Sequence, residues 1–302
     1  MKFSLLTLFP EMFDGLLGSS ILHRAQSQGH IEVERIQIRD FSQDRHRSVD
    51  DYSFGGGPGM VMKADVLERA LRHVVSGSAQ EQRGVNGACA VGVAPHVVYL
   101  SPQGRQFSQE DAGRLSQVAH LVLVCGHYEG VDERFIDRYV DEELSLGDFV
   151  LTGGEIPAMA VVDAVARLLP GVLGDEQSFL SDSFYAALLD HPHYTRPARW
   201  MAEESALTPS DESAERVGEI DEKGRVEVKP PAVLLSGNHL AVAEWRRRQA
   251  LLRTLIRRPD LLDQGALSRV EKRVMGRLQQ ALAQDLDEMV GEDPPSKSGK
   301  RV

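Results

Sequence analysis

The chain has 302 residues, of which 42% are hydrophobic and 26% charged, with a formal net charge of −11. That length can bury a full core and favours two domains, the balance is that of an ordinary globular protein, and the negative sum excludes a protein that coats nucleic acid indiscriminately. The two cysteines, Cys89 and Cys125, give neither a disulfide framework nor zinc-ligand spacing, which predicts a reducing, cytoplasmic setting. The opening MKFSLLTLFPEMF is too short and too broken by Pro10 and Glu11 to read as a signal peptide. No run reaches bilayer length, so no membrane partner is expected. The charge is uneven: residues 201–228 carry nine acids against three bases, whereas 244–258 carry six arginines against Glu244 alone. A polyanion can still bind that arginine-rich segment.

In chain order, residues 3–9 read as a buried strand, 10–28 as a helix entered at Pro10 and stopped at Gly29, and 31–38 as an alternating strand. Together they make a β-α-β unit. A polar loop is expected over 40–62, ending in Phe54-Gly-Gly-Gly-Pro-Gly-Met60, then a helix over 64–75 and a Gly/Ala/Ser-rich surface insertion over 76–95. Strands follow at 97–101 and 121–125 around a helix at 108–119, with a short strand near 138–142. Residues 156–169 form the clearest core helix, closed by Pro170 and Gly171. The stretch 171–197 reads as a linker and 201–229 as a charged, weakly ordered insertion. Helices resume after Asn238, a natural N-cap, and run to about 289, leaving a frayed tail.

Three apolar runs break into turn-rich loops: VVYLSPQGR (97–105), LVLVCGHYEG (121–130) and LSLGDFVLTGGEIP (144–157). Loops at the carboxyl ends of neighbouring strands are where open α/β sheets place ligands. Taken singly, Ser101-Pro102-Gln103-Gly104 is an ordinary turn, and Gly147, Gly153 and Gly154 beside Leu151 and Thr152 expose backbone donors and acceptors able to read an adenine edge. Glu129, just past an apolar strand, suits a cationic amine. FGGGPGM has neither dinucleotide-loop spacing nor a P-loop ending; it reads as a flexible turn or as a backbone surface at Gly57 and Gly59 for a base or phosphate. Asp163 and Arg167 stand four apart, an intrahelical ion pair by default, although a charge on so apolar a helix needs a partner or a task. Asp182 is by default a solvated loop acid or a helix cap. In HPHYTRP, metal binding by His191 and His193 lacks a supporting cysteine or acid spacing, so base or phosphate contact by His193 and Arg196 is preferred, and no metal ligand is assigned.

In order, DDYSFGGGPGMVM (50–62), YLSPQGR (99–105), CGHYEGVDERF (125–135), LSLGDFVLTGGE (144–155), LDHPHYTRP (189–197) and LLSGNH (234–239) resemble the bacterial tRNA (guanine-N1)-methyltransferase family. The resemblance covers the chain apart from 76–95, 201–230 and the last dozen residues. It implies an α/β fold: a mostly parallel sheet with a deep trefoil knot, an exception to the rule against knots, followed by a small helical C-terminal domain. It also implies a methyl-donor domain over 1–170, a linker carrying the catalytic acid over 171–197, a tRNA-binding domain over 198–290 with an acidic insertion at 201–230, and a flexible tail over 291–302.

Carried over, Tyr99, Leu100, Ser101, Pro102, Gln103, Gly126, Tyr128, Glu129, Ser145, Leu146, Gly147, Leu151, Gly153, Gly154 and Pro157 are expected to hold S-adenosylmethionine. The family works as a homodimer on tRNA, so Asp182 is expected to serve as general base toward the donor held by the other subunit, with Arg167 stabilising charge on the purine oxygen. Arg246, Arg247 and Arg248 are expected to grip tRNA. Mg2+ is implied by the family, although no dedicated cage is legible. The alternatives left open are a knotted methyltransferase acting on another nucleotide or a ribose, a non-catalytic RNA binder, and a phosphate-ester enzyme, the last disfavoured by the missing P-loop.

Overall fold

The computed structural model describes residues 1–81, 94–173, 183–184, 188–203, 224–263, 272 and 276. The chain divides into two compact units, Met1–Phe179 and Leu180–Val302.

The first unit is a five-stranded sheet built from β1 (Lys2–Thr7), β2 (Glu32–Gln37), β5 (His96–Gln106), β6 (His120–Cys125) and β7 (Glu142–Ser145), in the order β2-β1-β6-β5-β7. Every neighbouring pair is parallel. Parallel sheets need both faces covered, which makes their strands read as continuous apolar runs; all six residues of β6, HLVLVC, are buried. One face carries Phe3, Leu5, Val98, Leu100, Leu121, Leu123, Cys125 and Leu144, covered by α2 (Ser20–Ser27), α4 (Gln109–Leu115) and α6 (Glu155–Ala166). The other carries Leu6, Val97, Tyr99, Val122 and Val124 under α3 (Ala64–Glu81) and α5 (Glu133–Tyr139). Residues two apart on each strand share a face, as pleating demands.

The helix expected over 10–28 is three pieces: a 3₁₀ turn at Pro10–Phe13, α1 (Asp14–Leu17), and α2. The break falls at Gly18 and Ser19, poor helix formers, and Ser20 follows with φ 52. Gly29 does stop α2, at φ 77, with the His30 amide reaching the Ala25 carbonyl at 2.9 Å and the Gly29 amide reaching Gln26 at 3.0 Å. The loop expected over 40–62 contains an antiparallel ribbon, β3 (Asp50–Tyr52) with β4 (Met60–Met62). Fully buried Met62 anchors it, its amide donating to the Gly130 carbonyl at 2.9 Å. In place of a strand near 138–142 there is α5, N-capped by Asp132 and pinned by buried Phe135, with β7 starting at Glu142. Helix α3 runs beyond the expected end at 75, into the segment read as an insertion, and residues 82–93 lie outside the described residues.

In the second unit, β8 (Trp200–Glu203) pairs antiparallel with β9 (Arg225–Val228). The borders of the expected loose insertion are thus ordered, and its centre, 204–223, lies outside the described residues. After α7 (Ala232–Leu235) comes α8 (His239–Arg257), whose predicted N-cap Asn238 accepts the Ala241 amide at 3.2 Å. Within the expected linker, Leu188 is buried against Leu255 and the Leu189 amide donates to Thr254 Oγ1 at 2.9 Å. The helices expected beyond 263 and the tail fall outside the described residues, apart from Lys272 and Gly276.

Candidate active site

Outside the carboxyl ends of β5, β6 and β7 lies a cleft of about 350 Å³. Its first wall is Tyr99, Leu100, Ser101, Pro102 and Gln103; its second is Gly126, His127, Tyr128, Glu129 and Gly130; its third includes Ser145, Leu146, Leu151, Gly153, Gly154 and Pro157. The three turn-rich loops that follow the apolar runs therefore meet in one place.

They interlock so closely that glycine is required at the crossings. A Cβ on Gly154 would sit 2.6 Å from Cys125 Cα, and the Gly154 amide donates to the Gly126 carbonyl at 2.9 Å. A Cβ on Gly104 would sit 2.5 Å from the Leu144 amide nitrogen. Tyr128, a non-glycine at φ 59, carries backbone strain at the lip. Gly147 does not line the cleft: it is buried, and its amide donates to Ser145 Oγ at 3.2 Å while its carbonyl accepts from that hydroxyl at 3.0 Å, so it shapes the loop from behind.

Sequence reasoning missed the groups beneath this surface. Glu155, 1% exposed, opens α6 and accepts from Thr7 Oγ1 at 2.6 Å, while its other oxygen lies 2.7 Å from His127 Nε2. A buried carboxylate is tolerable only with such partners. The pair fills the space over Gly153, where a Cβ would collide with both side chains. The legible signal was an acid at the head of an otherwise apolar helix. Cys125 is fully buried, and burial, then Glu155, push its thiol pKa up, leaving it unreactive.

The charge of the cleft is one-sided. Glu129, Glu133 and Glu143 line it, and no lysine or arginine does among the described residues. Burial first, then neighbouring Glu133, raises the Glu143 carboxyl above its ordinary range, against a hydrogen bond from Ser101. Burial, then Glu143, raises the Tyr99 phenol likewise. Such a lining repels phosphate and favours a cation.

Of the remaining expected residues, Gly59 is brought near: a Cβ there would run into the Glu129 side chain, and the Glu129 amide donates to the Met60 carbonyl at 3.0 Å. Gly57 is exposed in the ribbon's turn, with Tyr52 and Phe54 exposed around it. Arg167 stands at the far end of α6, about 20 Å from Gly154 at 1.5 Å per residue, its amide donating to the Asp163 carbonyl at 3.2 Å. Asp163 itself is exposed. Asp182 lies outside the described residues. In the second unit, His193, Arg196, Arg246, Arg247 and Arg248 are all exposed. Three consecutive helical positions sweep around the axis rather than sharing one face.

A parallel sheet layered on both faces, with a ligand cleft walled by the loops that leave its strands, defines a doubly wound α/β binding protein. The sequence comparisons narrow that class. The family model described as tRNA (Guanine-1)-methyltransferase TrmD matches residues 1–210 and 222–264. It takes in 76–95 and most of 201–230, both expected to fall outside the resemblance; it skips 211–221, within the acidic stretch, and ends at 264, short of the last dozen residues. A tRNA (guanine-N(1)-)-methyltransferase of Magnetococcus marinus is 56% identical over 287 residues, 95% of this chain and 98% of that protein. Proteins of the same name from Bacillus subtilis and Desulforudis audaxviator are 44% and 46% identical over 90% and 93% of this chain, covering 97% and 98% of their own lengths. The chain belongs to the tRNA (guanine-1)-methyltransferase family.

Proposed function

We propose that the protein transfers a methyl group from S-adenosylmethionine to N1 of the guanosine immediately 3′ of the anticodon in tRNA, position 37, where the modification maintains the reading frame. The observation that carries this reading is the cleft itself: glycine-rich backbone walls able to read an adenine, three carboxylates, and no basic lining residue among those described. The donor bears a sulfonium and an ammonium, so an acidic cleft suits it where a nucleoside phosphate would be repelled.

Guanine N1 is protonated and poorly nucleophilic. In the proposed reaction Asp182 takes that proton as the N1 lone pair forms its bond to the methyl carbon; the carbon–sulfur bond breaks and the sulfonium leaves as a neutral thioether. General-base help of this kind contributes ~10²–10⁴-fold. Arg167 offsets the negative charge that spreads onto O6. Its distance along α6 from the cleft of its own chain supports a site completed by a second copy, as do exposed Phe149, Val150, Leu151 and Ile156 around the cleft's third loop. A homodimer with a trefoil-knotted sheet domain is the assembly proposed, and the tight crossings at Gly104 and Gly154 suit threaded loops.

Exposed Phe54 beside Gly57 and Gly59 offers a stacking platform for an unpaired base, and His193, Arg196 and Arg246–Arg248 supply the remaining RNA contacts. The oxygen donors of the cleft suit Mg2+; Glu129 and Asp182 are proposed to contact it indirectly, and bound there it would add positive charge near the purine oxygen.

The test is incubation with labelled donor and tRNA transcripts that carry or lack the anticodon-flanking guanosine. Label should enter only the former; methylation mapped to another nucleotide or to a ribose would replace this reading with the related-enzyme alternative. Asp182→Ala should keep donor affinity and lose turnover by ~10²–10⁴-fold, and retained turnover removes Asp182 as the base.

A further inference from the structure

We propose that Asp190, His191 and His193, in the second unit, form a binding site for a divalent transition-metal ion such as Zn2+. One nitrogen of each imidazole and one carboxylate oxygen lie within 4.8 Å of one another. His193 Nε2 is 2.7 Å from Asp190 Oδ2, His191 Nδ1 is 3.8 Å from Asp190 Oδ1, and the two rings stand 4.5 Å apart, centroid to centroid. Spacing within HPHYTRP disfavours metal because that motif holds no acid. The acid is the residue immediately before it.

The backbone explains why the three converge. Residues 189–195 form no helix or strand, and Pro192 holds the chain extended between the histidines. Two side chains two positions apart on an extended chain project to the same side. The segment is anchored rather than loose: Leu188 is buried, the Leu189 amide is held by Thr254, and the Asp190 amide donates to Ser183 Oγ at 3.0 Å. His191 is backed by Trp245, 6.5 Å away between ring centroids.

An Asp–His hydrogen bond alone is commonplace. What distinguishes this arrangement is the second imidazole on the same carboxylate. Two imidazoles and one carboxylate suit Zn2+, Co2+ or Ni2+ and not Mg2+, which prefers oxygen alone. Three protein ligands leave a fourth position to water, and metal–ligand bonds of about 2.0–2.1 Å require exposed His193 to draw back from Asp190 as the ion enters between them. The ion would replace the direct His193–Asp190 hydrogen bond and fasten the loop that carries Tyr194 and Arg196. This chemistry is independent of the magnesium proposed for the donor cleft.

Chelator-treated, tag-free full-length protein titrated with Zn2+ should bind one equivalent saturably, while Mg2+ produces no binding that depends on these residues. Co2+ in its place should give the visible absorption of a four-coordinate site. His191→Ala and His193→Ala should each weaken binding at least tenfold, the lower end of the ~10–100-fold seen for loss of an outer-shell partner alone. His193→Gln, which keeps a donor for Asp190 but no imidazole, should lose the metal while its metal-free melting temperature matches the parent. Absence of Zn2+ binding by the parent, or binding unchanged in the three variants, overturns the proposal.

Discussion

The two units of this chain answer to different physics. The sheet unit holds nearly all the buried hydrophobic residues among those described, in two clusters on either face of one sheet. In the second unit the described core cluster is Leu188 and Leu255, and Leu235, Leu240, Ile256 and Trp200 stand exposed. A cleft that must hold a flexible ligand in one geometry is built on the rigid unit, where packing leaves side chains little freedom. A surface that meets a large polyanion needs charge and reach more than packing, and the arginines of α8 are the residues proposed to provide it.

That contrast is open to attack from both sides. The largest effect is expected at a backbone crossing: Gly154→Val drives a side chain into Cys125 and Gly126, and donor affinity should fall beyond about a hundredfold, equivalent to ~3 kcal/mol. Calorimetric titration checks it, and normal binding would mean that the crossing does not shape the donor pocket. Replacing Arg246, Arg247 and Arg248 by alanine should leave donor affinity alone but weaken tRNA binding and flatten its salt dependence, by about one unit of log–log slope for each phosphate no longer neutralised. Unchanged slopes would put the RNA surface elsewhere.

A gentler probe is pH. Because Glu143 holds its proton to higher pH than an ordinary carboxyl, and a cation prefers the ionised form, donor binding should expel a proton. Affinity should then climb with pH through the Glu143 pKa and level off above it, by at most about one decade per pH unit. Glu143→Gln should remove that climb, and calorimetry in buffers of different ionisation heat reads the proton directly.

The smallest effect concerns the scaffold alone. Burial would raise the Asp111 carboxyl, but Arg105 and Ser108 together hold it far below its usual range. A depressed carboxyl lends stability that is complete above the unfolded-state pKa near 3.9 and is lost as pH falls toward the folded value. Asp111→Asn should therefore destabilise by about 1–3 kcal/mol at neutral pH and by less in acid, with the second unit's RNA affinity unmoved.

The order of amino acids suffices to locate β1, β5 and β6, because a strand covered on both faces must be apolar throughout. It also suffices for the loops of the cleft, because glycine, proline and polar residues cluster where a buried strand ends. Fourteen of the fifteen residues expected to hold the donor do line the cleft, Gly147 being the exception. The break at Gly18, the ribbon anchored by Met62 and the seven-residue α5 escape such reading. Short elements carry too few residues for a period to register, and they are held by contacts from elsewhere in the chain. It takes the folded chain to join Thr7, His127 and Glu155, as much as 148 positions apart, under the cleft, and to deny Gly154 a side chain because Cys125 passes behind it. Periodicity reports the environment of a segment; which distant groups share that environment is fixed by packing, which no local pattern encodes.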